Sequence, residues 1–265
     1  MEYETLILEK EGGIATITLN RPERLNAIGG TMAVDLEQAL EDANSDGKVR
    51  VLILTGAGRA FCSGADLAIL GEIVDEVSMA LVQRSPAAGG IRSFTLQLQN
   101  FEKPTIAAVN GPAVGAGLSL ALACDIRIAS DRATFSQIFI RRGVVPDTGS
   151  TYFLPRLVGM AKACEMVFTG DILDAGEAKE CGLVSRVLPH DELMPAVREL
   201  AAKIVAGPPI AMKLAKRALC NGANSDLTSA LEFEGYMQGI CFRTLDFREG
   251  LAAFREKREP RFKGQ

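Results

Sequence analysis

The sequence predicts an α/β protein: a core of repeated ββα-type units followed by a helical C-terminal region. Three observations carry that prediction. Residues 51–54 form a short apolar run that ends in Thr55-Gly56-Ala57-Gly58 and continues through Phe61-Cys62-Ser63-Gly64-Ala65-Asp66-Leu67. Residues 106–109 repeat the pattern, breaking at Asn110-Gly111-Pro112 and passing Gly115 and Gly117 into an uncharged run of helical length that reaches Cys124. Each reads as a strand entering a Gly-rich turn, and two turns of one build are expected to face one cavity. From residue 191 on, the stretches 191–206, 209–221, 227–241 and 247–257 read as helices, with Pro208-Pro209 and Gly222 as breaks. The expected division is a core over 1–190 and a helical region over 191–265.

In chain order, residues 6–8 and 14–19 read as strands joined around Gly12-Gly13, the second ended by Asn20-Arg21-Pro22. Thr31 is the expected N-cap of a helix over 32–43, in which Leu36, Leu40 and Ala43 share a face. Residues 69–100 show mixed helical periodicity broken at 85–90. The turn at 110–117 opens a helix whose first N–H groups lack internal partners, a place suited to an anion or a developing oxyanion. It reads equally as a buried strand turning into a core helix. Residues 126–129 and 133–135 read as short strands, and 152–157 as a helix behind the turn Pro146-Asp147-Thr148-Gly149.

Composition narrows the function. At 265 residues the chain can bury a large core, and 48% hydrophobic with 23% charged residues is an ordinary globular balance. A net charge of −4, with Lys and Arg dispersed until 255–263, argues against a nucleic-acid partner, which needs clustered positive charge. The six cysteines, at 62, 124, 164, 181, 220 and 241, form no C-x-x-C pair, and most are expected to be small buried hydrophobes in a reducing compartment. The start, Met1-Glu2-Tyr3-Glu4, resembles neither a signal peptide nor a transit segment, so the expected location is cytoplasmic. Residues 104–124 have membrane length, but Asn110-Gly111-Pro112 interrupts them after a strand-like start, and no membrane association is expected. His190 is the single histidine, which excludes a His-based metal cluster and argues against a Ser-His-Asp triad. No metal is expected, and catalysis must rest on carboxylates and backbone amides.

Five segments in register are more specific than any one of them. Arg21-Pro22-Glu23-Arg24-Leu25-Asn26-Ala27, residues 56–67, Ala108-Val109-Asn110-Gly111, Gly115-Ala116-Gly117 and Ala123-Cys124-Asp125 resemble, in this order, the hallmark segments of the enoyl-CoA hydratase/isomerase family, the crotonase superfamily. The resemblance covers nearly the whole chain. It implies a crotonase-type ββα spiral core, an acyl-CoA thioester substrate, no cofactor beyond the coenzyme A the substrate carries, and C-terminal helices that build homotrimers pairing into hexamers. For coenzyme A it implies Arg24, Ala27, Ala65, Asp66 and Leu67, with Phe254 and Lys257 on one helix face reaching the adenine. Plainer readings stand beside these: Arg24 as a solvated loop charge, Phe254 as an apolar helix anchor, Lys257 as a surface cation. The variable stretch 69–100 would shape the acyl pocket.

The resemblance also implies the chemistry. The common step is polarisation of the thioester carbonyl, whose oxygen gains charge as an enolate forms. Two backbone N–H donors, those of Ala65 and Ala116, would oppose that charge, one such donor being worth ~3 kcal/mol. Family hydratases use two glutamates at positions that fall here on Ser119 and Phe139, so a two-glutamate hydration is in doubt. Asp147, in Val144-Val145-Pro146-Asp147-Thr148-Gly149-Ser150, instead resembles the aspartate of enoyl-CoA isomerases, where one carboxylate moves a proton between carbons. An apolar lining from Phe139 and Val145 would suit that task. Asp147 also reads as a cap for the helix that follows. Dehalogenation by the same aspartate fits less well, because the chain has no Trp and no suitably placed His. Arg141-Arg142 reads as a solvated face, with contact to an acidic acyl end as the alternative. The expectation is an enoyl-CoA isomerase; the alternatives are an enoyl-CoA hydratase and a non-catalytic CoA-thioester binding protein.

Overall fold

The computed structural model describes residues 3–66 and 94–265. Leu67 and most of the variable stretch, residues 69–93, lie outside the described residues. In chain order the elements are β1 (Leu6–Glu11), β2 (Ile14–Leu19), α1 (Met32–Ser45), β3 (Val51–Gly56), β4 (Thr105–Val109), β5 (Ala113–Val114), α2 (Ala116–Leu122), β6 (Ile126–Ser130) and β7 (Thr134–Ser136). They continue with α3 (Ser150–Val158), α4 (Met160–Thr169), β8 (Leu173–Asp174), α5 (Ala175–Glu180), β9 (Arg186–Leu188), α6 (His190–Val205), α7 (Pro209–Gly222), α8 (Leu227–Cys241) and α9 (Leu245–Glu256).

Among the described residues, six strands form one sheet in the order β1-β2-β3-β4-β6-β9, and β5-β7-β8 form a second, small sheet. The β1–β2 pair is an antiparallel hairpin closed at Glu11↔Ile14 by Gly12-Gly13, and every later pairing in the large sheet is parallel. Parallel strands are covered on both faces, which is why residues 51–54 are buried without alternation. Leu52 and Leu54 join the larger core with Leu36 and Leu40 of α1 and Leu118 of α2. Val51 and Ile53 face the other way, with Ile106 and Ile128, onto the Leu193, Val197 and Ala201 stripe of α6. That i, i+4, i+8 spacing is one helical face. No helix among the described residues is long and apolar enough to cross a membrane.

Several expectations need correction. Thr31 sits at the N-cap position of α1 but caps nothing, because its hydroxyl donates to Asp35 Oδ2 at 2.9 Å. Only Cys62 and Cys124 of the six cysteines are fully buried; the other four are half-buried. Helices α4 and α5 occupy a stretch for which the sequence reading assigns no element, α5 opened by a capping box between Asp174 and Glu177. The last helix starts at Leu245, where the Thr244 hydroxyl accepts the Phe247 N–H at 3.1 Å, and Lys257 leaves it at φ +55°. Lys257 is thus the C-cap, one turn after Phe254, and not a residue inside the helix.

Candidate active site

The two Gly-rich turns are zipped together by their backbones. Cys62 N–H donates to Pro112 O and Val114 N–H to Cys62 O, both at 3.0 Å. The approach leaves no room for side chains: a Cβ on Gly117 would lie 2.2 Å from Cys62 O, and one on Gly64, at φ +93°, would lie 2.7 Å from Val114 O and 3.5 Å from Ala116 N. The segment 64–66 also pairs with Ile28, which donates to Gly64 O at 2.7 Å and accepts from Asp66 N–H at 2.9 Å. In such a parallel bridge the N–H of the residue between, Ala65, points away from Ile28. Ala116 is the first residue of α2, so its N–H has no intrahelical acceptor. Among the described residues neither N–H has an acceptor, and the Gly64 contact with Ala116 N puts the two turns side by side.

Two buried asparagines brace this arrangement. Asn26 Nδ2 donates to Ala57 O at 2.9 Å and Ala60 O at 2.8 Å, while its Oδ1 accepts the Arg21 N–H at 2.9 Å. Asn110 Nδ2 donates to Gly58 O at 3.0 Å, and its Oδ1 accepts the Gly56 N–H at 3.2 Å. Sequence reasoning quoted both residues as motif members without seeing that their amides satisfy the first turn. Cys62 in the same place is not a nucleophile: burial pushes its thiol up to about 12.

The backbone carbonyl of Asp147 lies 3.4 Å from Ser119 Oγ of α2. The Asp147 side chain is exposed and its Oδ1 accepts the Thr148 hydroxyl at 2.5 Å. Thr148 is buried at φ +56°, a strained setting for a β-branched residue. The N-cap position of α3 belongs to Gly149 and no side chain caps it, so Asp147 is not the helix cap. Val145 is 78% exposed, and the Phe139 ring lies 3.7 Å from where a Gly115 Cβ would be. Ser119 Oγ, fully buried, is 2.5 Å from Ser150 Oγ, 3.1 Å from Gly115 O and 3.4 Å from Asp147 O. The structure thus joins Asp147 and Ala116 through Ser119, and the signal for Ser150 was absent because the two serines are 31 residues apart.

The residues expected at coenzyme A divide into two groups. Arg24 is exposed at the end of the 3-10 turn Pro22–Arg24. Ala27 is buried, its N–H donated to Arg24 O at 3.1 Å and its carbonyl accepting Arg21 Nη1 at 2.7 Å. Arg21 also pairs with Asp66 at 3.0 Å, so Asp66 holds the 21–27 loop against the 64–66 segment. Arg21 is a site-building residue that sequence reasoning missed. Phe254 is 84% exposed on α9, and no hydrogen bond among the described residues links it or Lys257 to the turns. Arg141 pairs with Asp171 and donates to Thr169 O, tying it to the end of α4.

This pairing of two amide-bearing turns can be compared with known proteins. A model of the enoyl-CoA hydratase/isomerase family matches residues 9–265. The chain belongs to this family. Crotonyl-CoA hydratase of Syntrophomonas wolfei is 39% identical over 263 residues, 99% of each chain. The 1,2-epoxyphenylacetyl-CoA isomerase of Escherichia coli is 37% identical over 262 residues, again 99% of each. The crystal structure of enoyl-CoA hydratase from Bacillus anthracis matches with a TM-score of 0.92 at 38% identity, covering 99% of this chain and 100% of that one. The fold is therefore the crotonase fold, as expected. The chain is an enzyme of the enoyl-CoA hydratase/isomerase family, and most of the similar relatives bear hydratase names.

Proposed function

We propose that this family member is an enoyl-CoA isomerase that shifts a double bond along an acyl chain, with Asp147 as acid and base. The observation that carries the reading is the contrast among three positions. Ser119 is buried and hydrogen-bonded, Phe139 is a hydrocarbon ring, and Asp147 is the carboxylate, held on a strained turn that Ser119 ties to α2. Asp147 would take a proton from the carbon beside the thioester carbonyl. The carbonyl oxygen then gains negative charge, which the Ala65 and Ala116 N–H groups oppose, and the carboxyl returns the proton two carbons further along. One group suffices for both transfers, and no water is added.

Arg24, Ala27, Asp66 and Leu67 are proposed to frame the coenzyme A of the substrate, Ala27 and Asp66 by shaping the loop, with Phe254 and Lys257 at the adenine. No further cofactor is invoked. A homotrimer or a hexamer of paired trimers in the cytoplasm is proposed as the working form. Its support is the apolar surface of the C-terminal helices, where Leu219, Leu227 and Tyr236 are 76%, 75% and 69% exposed. Sedimentation as a monomer at micromolar concentration would contradict it.

Hydration is the competing reading, favoured by the name of the Syntrophomonas wolfei relative. It needs a second acid/base group that positions 119 and 139 do not carry. The test is Asp147→Asn. Isomerisation of a 3-enoyl-CoA should fall by about 10²–10⁴-fold with KM nearly unchanged. Unimpaired hydration of a 2-enoyl-CoA by the variant would favour hydratase, and tight thioester binding without turnover by either protein would favour a non-catalytic binder.

A further inference from the structure

The hydroxyl of Ser119 touches both halves of the proposed chemistry. The carbonyl it meets at 3.1 Å, Gly115 O, belongs to the same peptide group as the Ala116 N–H. The carbonyl it meets at 3.4 Å, Asp147 O, belongs to the peptide that follows the proposed base. A serine bonding back to the carbonyl four residues earlier is a common helix contact. Here the same oxygen also meets Ser150, and both serines are fully buried.

Proton accounting orients the pair. Two hydroxyls bring two protons, and a buried hydroxyl proton without an acceptor is costly. Ser150 Oγ has no acceptor other than Ser119 among the described residues. The arrangement that uses both protons runs from Ser150 O–H to Ser119 Oγ, and from Ser119 O–H to the Gly115 carbonyl, with the Asp147 carbonyl beside it. A hydrogen bond accepted by a peptide carbonyl polarises that peptide and strengthens its N–H as a donor. The other end of the Gly115 residue is fixed as well, since its N–H donates to Ser136 O at 2.8 Å. On the Asp147 side the Ser150 N–H donates to Asp147 O at 3.0 Å, so the strained Thr148 turn is held between α2 and the start of α3.

We propose that Ser119, relayed by Ser150, is a positioning residue: its hydroxyl orients and polarises the Ala116 N–H and sets the Asp147 turn in register with it. The inference rests on the reading of Asp147 as the base and of Ala116 as a donor to the thioester oxygen. Ser119 itself transfers no proton to substrate.

The experiment compares wild type, Ser119→Ala, Ser150→Ala and Asp147→Asn, each assayed well below its melting temperature with a 3-enoyl-CoA. The infrared carbonyl stretch of a bound, isotopically labelled saturated acyl-CoA is recorded alongside. Ser119→Ala should lower kcat by about tenfold or more with KM within about twofold, as small misplacements do. It should also return part of the downshift in the carbonyl stretch that the donors impose. Ser150→Ala, which leaves the Ser119 hydroxyl in place, should show the same changes to a smaller degree. Asp147→Asn should lower turnover by about 10²–10⁴-fold while keeping the downshift. A Ser119→Ala protein with wild-type kcat and carbonyl stretch would overturn the proposal, as would a kcat loss with the stretch unmoved in both serine variants. If Asp147→Asn keeps full isomerase activity, the base assignment fails by itself, and the carbonyl stretch still decides the role of Ser119.

Discussion

The turn cluster and the C-terminal helices are built on opposite terms. In the cluster, backbone meets backbone at distances only glycine allows, and the buried amides of Asn26 and Asn110 each serve several peptide groups. In α7 to α9, large apolar side chains such as Leu219, Leu227 and Phe254 stand in solvent, and glycines such as Gly222 meet nothing that a methyl group would disturb. The first region is completed by its own chain. The second leaves apolar side chains in solvent, which is the support for the proposed oligomer. Catalytic geometry of the proposed kind belongs in the first, because a donor that must not move is best held by buried backbone contacts.

The sharpest way to break this contrast is a matched glycine pair. Gly117→Ala places a Cβ 2.2 Å from a backbone oxygen and is expected to cost about 3 kcal/mol or more and abolish activity. Gly222→Ala, with nothing within 4 Å, should be neutral or stabilise α7 by up to about 1 kcal/mol. Thermal melting with an activity assay checks both, and equal effects would dissolve the distinction. A smaller effect comes from matched polar residues. Asn26→Ala strands two carbonyls and one N–H and should cost about 2–4 kcal/mol, whereas Thr244→Ala removes an exposed N-cap bond and the hydroxyl's bond to Cys241 O and should cost about 1 kcal/mol. Urea denaturation measures both.

These same residues explain what the sequence could reveal. Gly64, Gly117, Asn26 and Asn110 were legible because close backbone approach demands particular residue types, and that demand recurs as a motif. The strand runs at 51–54 and 106–109 were legible because both faces of a parallel sheet are buried. The Ser119–Ser150 contact was not, since nothing in the spacing of two serines says that α2 and α3 cross there. Pro-Asp-Thr-Gly read as a helix cap by local turn chemistry, but Thr148 binds the Asp147 carboxylate and the helix starts from Gly149. Val145 read as pocket lining because it is apolar, and nothing in one sequence says that it stays exposed in its own chain. Helices α4 and α5 were missed because both are short, lying behind Gly159 and Gly170 where local breaks hide their period.

The smallest expected effect lies in the tail. Arg258 grips Glu249 through two nitrogens, at 2.6 and 2.9 Å, and Arg261 N–H donates to it at 2.8 Å, which holds its carboxyl down at about 2. A depressed acid stabilises the fold above its unfolded value, about 4.3, and loses that contribution as pH falls toward the folded one. The melting-temperature difference between wild type and Glu249→Gln should therefore be small at neutral pH, shrink below about pH 4.3 and vanish below about pH 2. A difference that grew on acidification would contradict the pairing.

The central claim is that Asp147 moves a proton between carbons in a site whose amides hold the enolate oxygen. The most direct measurement offers matched 2-enoyl-CoA and 3-enoyl-CoA to wild type and Asp147→Asn in deuterated water and reads the products by mass spectrometry. Double-bond movement without the mass of added water, lost in Asp147→Asn, is the predicted result. Addition of water by both proteins would contradict it and send the search for the base to residues with structural roles.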